Sequence, residues 1–359
     1  MSKILFLKLQ KNIFVKPEKF FFALNCFLHK LIIPRFIFLN TMILCFINPS
    51  FTVSQNIITR AGLFDVYPIE AHGTVVTNNM IGFYDSLLQK EYVIVSEDTS
   101  VGGLGIFDVT IPSNIQRVGN INTSYVFGVK VYKNHAYTID GPSNGVDIFD
   151  ITNIQTPVFK NHMSQGFHTM VLDMRGFLYL SASNGFSIYD LTNPANPLFV
   201  KDVLYTVPGA GWHDGIAKQN KLIIFAGSRH TLIYDLTDPI NPTLMGLVSD
   251  PSIYYSHSGD ISEDGNYLFI CDELNDFGGG VPDVTIWDIS DLNNPTKIGQ
   301  IDDTSLNVAV HNVYVKDNYL YVAYYETGFR IYNIINPSNP ILVDQYKTFG
   351  VIGPGGFGD

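Results

Sequence analysis

Nine histidines are spread through this 359-residue chain, and five of them recur at a spacing that invites chemistry. His72, His168, His213, His257 and His311 each stand where a short apolar stretch begins, and the last four are 45, 44 and 54 residues apart. A set of carboxylates keeps a similar rhythm: Glu97 and Asp98, Asp140, Asp272 and Glu273, and Glu326. Imidazole nitrogens and carboxylate oxygens brought to one place could hold a divalent cation, zinc or calcium according to the balance of nitrogen and oxygen ligands. The candidate metal ligands are His168, His213, His257, His311, Asp272, Glu273 and Glu326. A metal so held could generate hydroxide and hydrolyse a small ester or lactone. The stretches WHDG (212–215) and GSRH (227–230) add Trp212, Asp214, Arg229 and His230 to the same candidate face, though neither is a specific signature. No nucleophile elbow, HExxH or phosphate loop is present.

What would bring these residues together is a repeat. Six segments share one phrase: IFDVTIPSNIQRVG (106–119), IFDITNIQTPVFKN (148–161), IYDLTNPANPLFVK (188–201), IYDLTDPINPTLMG (233–246), IWDISDLNNPTKIG (286–299) and IYNIINPSNPILVD (331–344). They begin at intervals of 42, 40, 45, 53 and 45 residues. A period of about 40–45 residues holding several strands is the signature of propeller blades. The last period divides into four strand-like runs, HNVYV, NYLYVAY, FRIYNI and PILVDQY. The shared phrase falls between the third and fourth. There an aspartate can accept turn N–H groups, and the proline fixes φ where an outer strand begins. The fold expected is all-β, a propeller of four-stranded blades, and the repeated acids are expected to serve its corners. Each histidine then starts the innermost strand of a blade, and the acids end the second strand on the same face. Repetition at the blade period is also what a purely structural role would produce, each histidine fixing its strand to a neighbour.

With the phrase I-[FYW]-D-[IVL]-[TS]-x-x-x-N-P and its preceding YLYVA-type strands in view, the chain resembles the LVIVD repeat of secreted and surface propellers. More closely, SHSGDISEDGNYLFICDELND…TIWDISDLNNP and HNVYVKDNYLYVAYYETGFRIYNIINPSNP are similar to the choice-of-anchor B proteins. The resemblance covers roughly residues 57–350. It implies a surface location, a propeller body tethered in differing ways, and one more repeat than the six counted. Residues 57–64 look like the fourth strand of such a further blade. The design expected is therefore seven-bladed, with six complete blades and the seventh incomplete; a closed six-bladed ring with 57–64 added outside is the alternative.

The leader has its own character. Residues 36–47, FIFLNTMILCFI, follow Lys30 and Arg35 and precede small polar residues, as in a secretory signal peptide, so residues 1–54 are expected to be a leader and 55–350 the propeller. The last residues, 351–359, are rich in Gly and Pro. Residues 1–54 hold seven of the 22 basic residues and one of the 33 acidic ones, leaving a body of formal charge −17. Such a body does not suit nucleic acid. Two of the three cysteines, Cys26 and Cys45, lie in the leader, so Cys271 is alone in the body and is expected to be a buried thiol rather than a nucleophile.

Two functions follow. In one, an exported monomeric propeller binds a protein or glycan through its loop-rich face, with Tyr254, Tyr255, Trp212 and Tyr325 around the rim and the histidines bonded to backbone. Membrane contact is then made only by the leader or a separate anchor. In the other, three or more of the histidines converge on a metal. A loop insertion of about nine residues in the fifth blade, DELNDFGGGVPD (272–283), adds Asp276 and Asp283 as possible calcium ligands.

Overall fold

In a computed structural model of the chain, residues 79–96, 103–123, 126–139, 145–164, 169–275, 280–303 and 308–346 are described, with 3–9 and 58–65 as backbone. Two strands, β1 (Lys3–Leu9) and β2 (Ile58–Asp65), pair with each other. The remaining strands form six antiparallel four-stranded sheets arranged as the blades of a β-propeller. Blade 1 is β3 (Met80–Asp85), β4 (Lys90–Ser96), β5 (Leu104–Asp108) and β6 (Gln116–Ile121). Blade 2 is β7 (Gly128–Tyr132), β8 (His135–Ile139), β9 (Val146–Asp150) and β10 (Val158–Met163). Blade 3 is β11 (Met170–Asp173), β12 (Phe177–Ala182), β13 (Gly185–Asp190) and β14 (Leu198–Leu204). Blade 4 is β15 (Asp214–Lys218), β16 (Lys221–Phe225), β17 (His230–Asp235) and β18 (Thr243–Ser249). Blade 5 is β19 (Ser256–Ile261), β20 (Tyr267–Asp272), β21 (Val284–Asp288) and β22 (Thr296–Ile301). Blade 6 is β23 (Val313–Lys316), β24 (Tyr319–Tyr324), β25 (Gly328–Asn333) and β26 (Ile341–Tyr346).

The two middle strands of each blade are continuously apolar because both faces of the sheet are covered by neighbouring blades. In β16 and β17, Leu222, Ile223, Ile224, Phe225, Leu232 and Ile233 are all fully buried. Alternate residues go to opposite sides: Leu222 and Ile224 join the cluster shared with blade 3, Ile223 and Phe225 the one shared with blade 5. Five such clusters fill the joints from blade 1 to blade 6. The inner strands touch in the order β3, β7, β11, β15, β19, β23.

The shared phrase makes the corner between the two outer strands, as its residues imply. Asp108, Asp150, Asp190, Asp235, Asp288 and Asn333 each accept the backbone N–H two residues on. Beyond the corner, every outer strand carries a β-bulge at the same place, the extra residues being Val118, Lys160, Val200, Met245, Ile298 and Val343. The residue after the bulge then meets the corner of the following blade. At Gly119 a Cβ would stand 1.8 Å from the Ile154 carbonyl, and at Gly299 2.9 Å from that of Ser338, so glycine is what lets backbone approach backbone there. In two other joints a polar side chain does this work: Asn161 donates to Asn196 (3.0 Å) and the Lys201 ammonium to Asn241 (2.7 Å). Two tyrosine hydroxyls reinforce the contact, Tyr137 donating to the Pro194 carbonyl (2.8 Å) and Tyr179 to that of Pro239 (3.0 Å).

A seventh blade is not formed among the described residues. The strand expected to close one, residues 57–64, coincides with β2, which is paired with β1. The leader's apolar run and the C-terminal stretch lie outside the described residues. No helix among the described residues is long and apolar enough to cross a membrane.

Candidate functional site

The inner strands β15, β19 and β23 begin on one face of the ring, and β20 returns to it, Ser256 lying opposite Asp272 in the register. The residues just before or at these strand starts are His213, His257 and His311. Their rings form a row across three blades. His213 and His257 have centroids 4.3 Å apart, and His257 and His311 4.6 Å. Tyr255 stands edge-on to His213 at 5.4 Å, and Tyr325 closes the other end 4.8 Å from His311. Tyr325 lies in a 3-10 turn with φ of 29°, a left-handed backbone that costs a non-glycine residue about 1–2 kcal/mol. Its hydroxyl donates to Glu273.

Two of the three rings are fasteners. His213 Nδ1 lies 3.1 Å from the His257 carbonyl, and His257 Nδ1 lies 2.8 Å from that of His311. A carbonyl only accepts, so both Nδ1 atoms carry the proton. Each bond ties the start of one inner strand to the start of the next. The His311 carbonyl also receives the Ser258 hydroxyl and the Cys271 thiol, each at 3.1 Å. Burial pushes that thiol up to about 12, which makes it a packed donor and not a nucleophile. At His311 the pattern breaks: its Nδ1 faces the Asn312 amide nitrogen at 3.1 Å.

With its Nδ1 proton committed, His257 turns its Nε2 lone pair outward, whereas at His311 Nδ1 accepts from the Asn312 amide and Nε2 carries the proton. The Nε2 of His257 is 3.4 Å from Glu273 Oε2, and that of His311 is 3.8 Å from Oε1. One atom from each of His257, Glu273 and His311 lies within 4.8 Å of the others, the one such group among the described residues. The His257 side chain is 6 % exposed, against 18 % for His311 and 23 % for Glu273. The trio is therefore partly accessible to solvent, chiefly at Glu273 and His311.

The other expected site residues have different places. The structure does not bring Asp272 to the trio: its carboxylate accepts the N–H groups of Tyr254, Tyr255 and Leu274, and burial raises its pKa. It thereby sets the loops that carry Tyr255 and Glu273. Asp283 is likewise spoken for, taking bonds from the Asn275 amide (2.6 Å), the Tyr324 hydroxyl (2.9 Å) and the Asp303 N–H (2.9 Å). It pins the inserted loop to blade 6, where Arg330 pairs with Asp303 and lies over the Tyr324 ring. Trp212 does not stand on the rim. It packs edge-on to Phe186 at 5.6 Å in the joint between blades 3 and 4. Asp214 accepts from the Gly215 N–H and the Thr169 hydroxyl. Arg229 and Tyr254 are exposed on the face of the row, on the loops beside His213 and Tyr255. His230 begins β17 with its Nδ1 buried. His72, His168, Glu97, Asp98, Asp140 and Asp276 lie outside the described residues, as does the side chain of Glu326. Asn312, which sets the tautomer of His311, was not among the expected residues. Nothing but its place next to His311 marks it in the sequence.

Fold and site together define a repeat β-propeller with a histidine-lined face. Residues 175–204, 256–303 and 309–348 match the LVIVD repeat. Among curated proteins no match to the chain is found. Among solved structures, the chain is similar to a candidate 6-phosphogluconolactonase of Bacteroides fragilis, at 10% identity and a TM-score of 0.58, covering 74% of this chain and 84% of that one. A counterpart from Bacteroides uniformis gives 11% identity and a TM-score of 0.57, over 74% and 85%. Hsv2 of Kluyveromyces lactis gives 12% and 0.52, over 79% and 86%. At these identities the likeness is one of fold.

Proposed function

We propose that the protein is an exported propeller of the choice-of-anchor B type that binds a macromolecule, a protein or a glycan, on the face where its inner strands begin. The observation that carries this reading is the ring row Tyr255–His213–His257–His311–Tyr325, in which the His213 and His257 imidazoles are locked to backbone carbonyls. A rigid aromatic surface flanked by the exposed Tyr254 and Arg229 loses little entropy on binding. The acidic body suits a solvated surface, and the run at 36–47 supports export.

The same reading takes the propeller as seven-bladed in design, with the seventh blade incomplete. Three of the blade 6 residues facing away from blade 5 support it: Tyr321, Ala323 and Phe329 are only half-buried, though Ile331 beside them is buried, whereas their blade 5 counterparts Phe269, Cys271 and Val284 are fully buried. Hydrolysis of a small ester or lactone is the second reading, favoured by the grouping of His257, Glu273 and His311.

The test is a glycan array and a panel of purified envelope proteins, probed with the full chain and with Tyr254→Ala and Arg229→Ala. Saturable binding that drops at least tenfold in the variants, with unchanged thermal unfolding, is the expected result. A wild-type protein that binds nothing on either panel, or turns over simple lactones, would sink the binding reading.

A further inference from the structure

We infer that His257, His311 and Glu273 form a zinc-type metal site between blades 5 and 6. It holds whether the face binds a macromolecule or a small ester. The first ground is the charge arrangement at His257. Its Nδ1 proton points at the His311 carbonyl, so a neutral ring turns the Nε2 lone pair toward a carboxylate oxygen 3.4 Å away. Two electron-rich atoms so placed repel, and the contact becomes favourable only with positive charge between them. A proton on Nε2 would supply it to this pair, whereas a metal ion supplies it to His257, Glu273 and His311 together.

Distance is the second ground. Tetrahedral zinc with bonds of about 2.0–2.1 Å sets its ligand atoms roughly 3.3–3.4 Å apart. The His257 Nε2 already has that spacing from Glu273 Oε2, at 3.4 Å; the His311 Nε2 is 3.8 Å from the other oxygen, Oε1, and one ligand atom from each of the three lies within 4.8 Å of the others, so modest side-chain adjustment brings them to one centre. Two nitrogens and one carboxylate match a zinc site that keeps a fourth position open, and they are a poor set for calcium, which takes six or more oxygens.

Support from surrounding groups is the third. A metal-binding histidine normally donates its other N–H to a carbonyl or amide oxygen. His257 does so already. At His311 a half-turn of the Asn312 amide would present its oxygen to Nδ1, which would then donate and place the lone pair on Nε2. Glu273 is steered by the Tyr325 hydroxyl and by the loop that Asp272 fixes.

Cobalt(II) is the probe, because a four-coordinate site gives it visible absorption that the aqueous ion barely shows. The full-length protein is titrated with Co²⁺, then back-titrated with Zn²⁺, beside two variants. Glu273→Gln keeps an acceptor for Tyr325 but loses the charge. His311→Gln removes a ligand while leaving in place the backbone carbonyl that blade 5 grips. Expected are one cobalt per chain, displacement by zinc, and at least tenfold weaker binding in both variants with wild-type circular dichroism. His162→Gln, on the outer strand of blade 2 and away from the row, should bind as wild type does. A wild-type protein that takes up no stoichiometric cobalt overturns the inference, and so do folded variants that bind it undiminished.

Discussion

The repeated aspartate is where the shared phrase can be tested most directly, and Asp288 is the cleanest case. Its Oδ1 accepts the Ser290 N–H at 2.9 Å and the Ser290 hydroxyl at 2.6 Å. Both donors are near solvent, so removing the carboxylate leaves them to water rather than stranded, and the loss resembles that of a helix N-cap. Such losses run about 0.5–2 kcal/mol, centred near 1. Asp288→Ala should therefore cost about 1 kcal/mol, or roughly 2–4 °C in Tm for a domain of this size. Asp288→Asn should be close to neutral, since an amide oxygen can take the same N–H. Blade 6 demonstrates this with Asn333, which accepts the Ile335 N–H at 2.9 Å. The assay is thermal and urea unfolding of wild type and both variants by circular dichroism. If Asp288→Asn is as damaging as Asp288→Ala, negative charge and not turn bonding is what the corner requires. If neither variant changes stability, the corner role is wrong and the repeated acids need another explanation.

Two further outcomes follow from the joints and corners. The Thr152 hydroxyl and then its N–H hold Asp150 down to about 2, below its unfolded value, so its stabilisation is full above pH ~4 and lost as pH falls toward 2. Asp150→Asn should flatten the urea-midpoint profile over that window; an unchanged slope would contradict the bond, while Asp260, raised by burial, works in the opposite sense and is left intact. Tyr137→Phe and Tyr179→Phe should each cost about 1 kcal/mol by removing one inter-blade hydrogen bond, and the double variant about twice that because the two joints are separate. A double variant no less stable than either single one would show that these hydroxyls do not carry the joints.

Much of the architecture was legible because it is repeated. Six copies of one phrase, each preceded by two apolar runs, fix six blades and their corners, and alternation within the runs fixes which residues enter which joint. The bulge after each corner was not legible. An extra residue such as Met245 or Ile298 reads as one more apolar residue in a strand, and only the register shows that it opposes nothing. Nor could the sequence reveal that each corner docks on the preceding blade, since Gly119, Asn161 and Lys201 perform that task with unrelated side chains. At the site, the blade period put His213, His257 and His311 on one face, and strand direction put Glu273 beside them. What the pattern could not sort was competing uses for the same residue type. Asp272 and Glu273 are adjacent acids, yet one is consumed by backbone N–H groups and the other faces imidazoles. Trp212 reads as a rim aromatic in the sequence, but Phe186 across the joint draws it, partly buried, against the apolar cluster there.

Repetition and chemistry meet at a definite point in this ring. A role that recurs in every blade should use the same atoms each time, and the bond from Nδ1 to the next blade's carbonyl recurs at His213 and His257. The departure comes at the next step, where three things change together. His311 turns its Nδ1 to its own neighbour Asn312, the fifth blade lengthens by about nine residues, and the first residue past β20 is Glu273. The lengthened loop is not loose at its base, because Asp283 ties it to Tyr324 and Asn275. Glu273 is therefore held at a joint where, among the described residues, a histidine Nδ1 faces a side-chain amide in place of the next blade's carbonyl. Symmetry accounts for the row of rings; its breakage accounts for a carboxylate within reach of two imidazoles. A structural histidine set alone would give the first and has no need of the second.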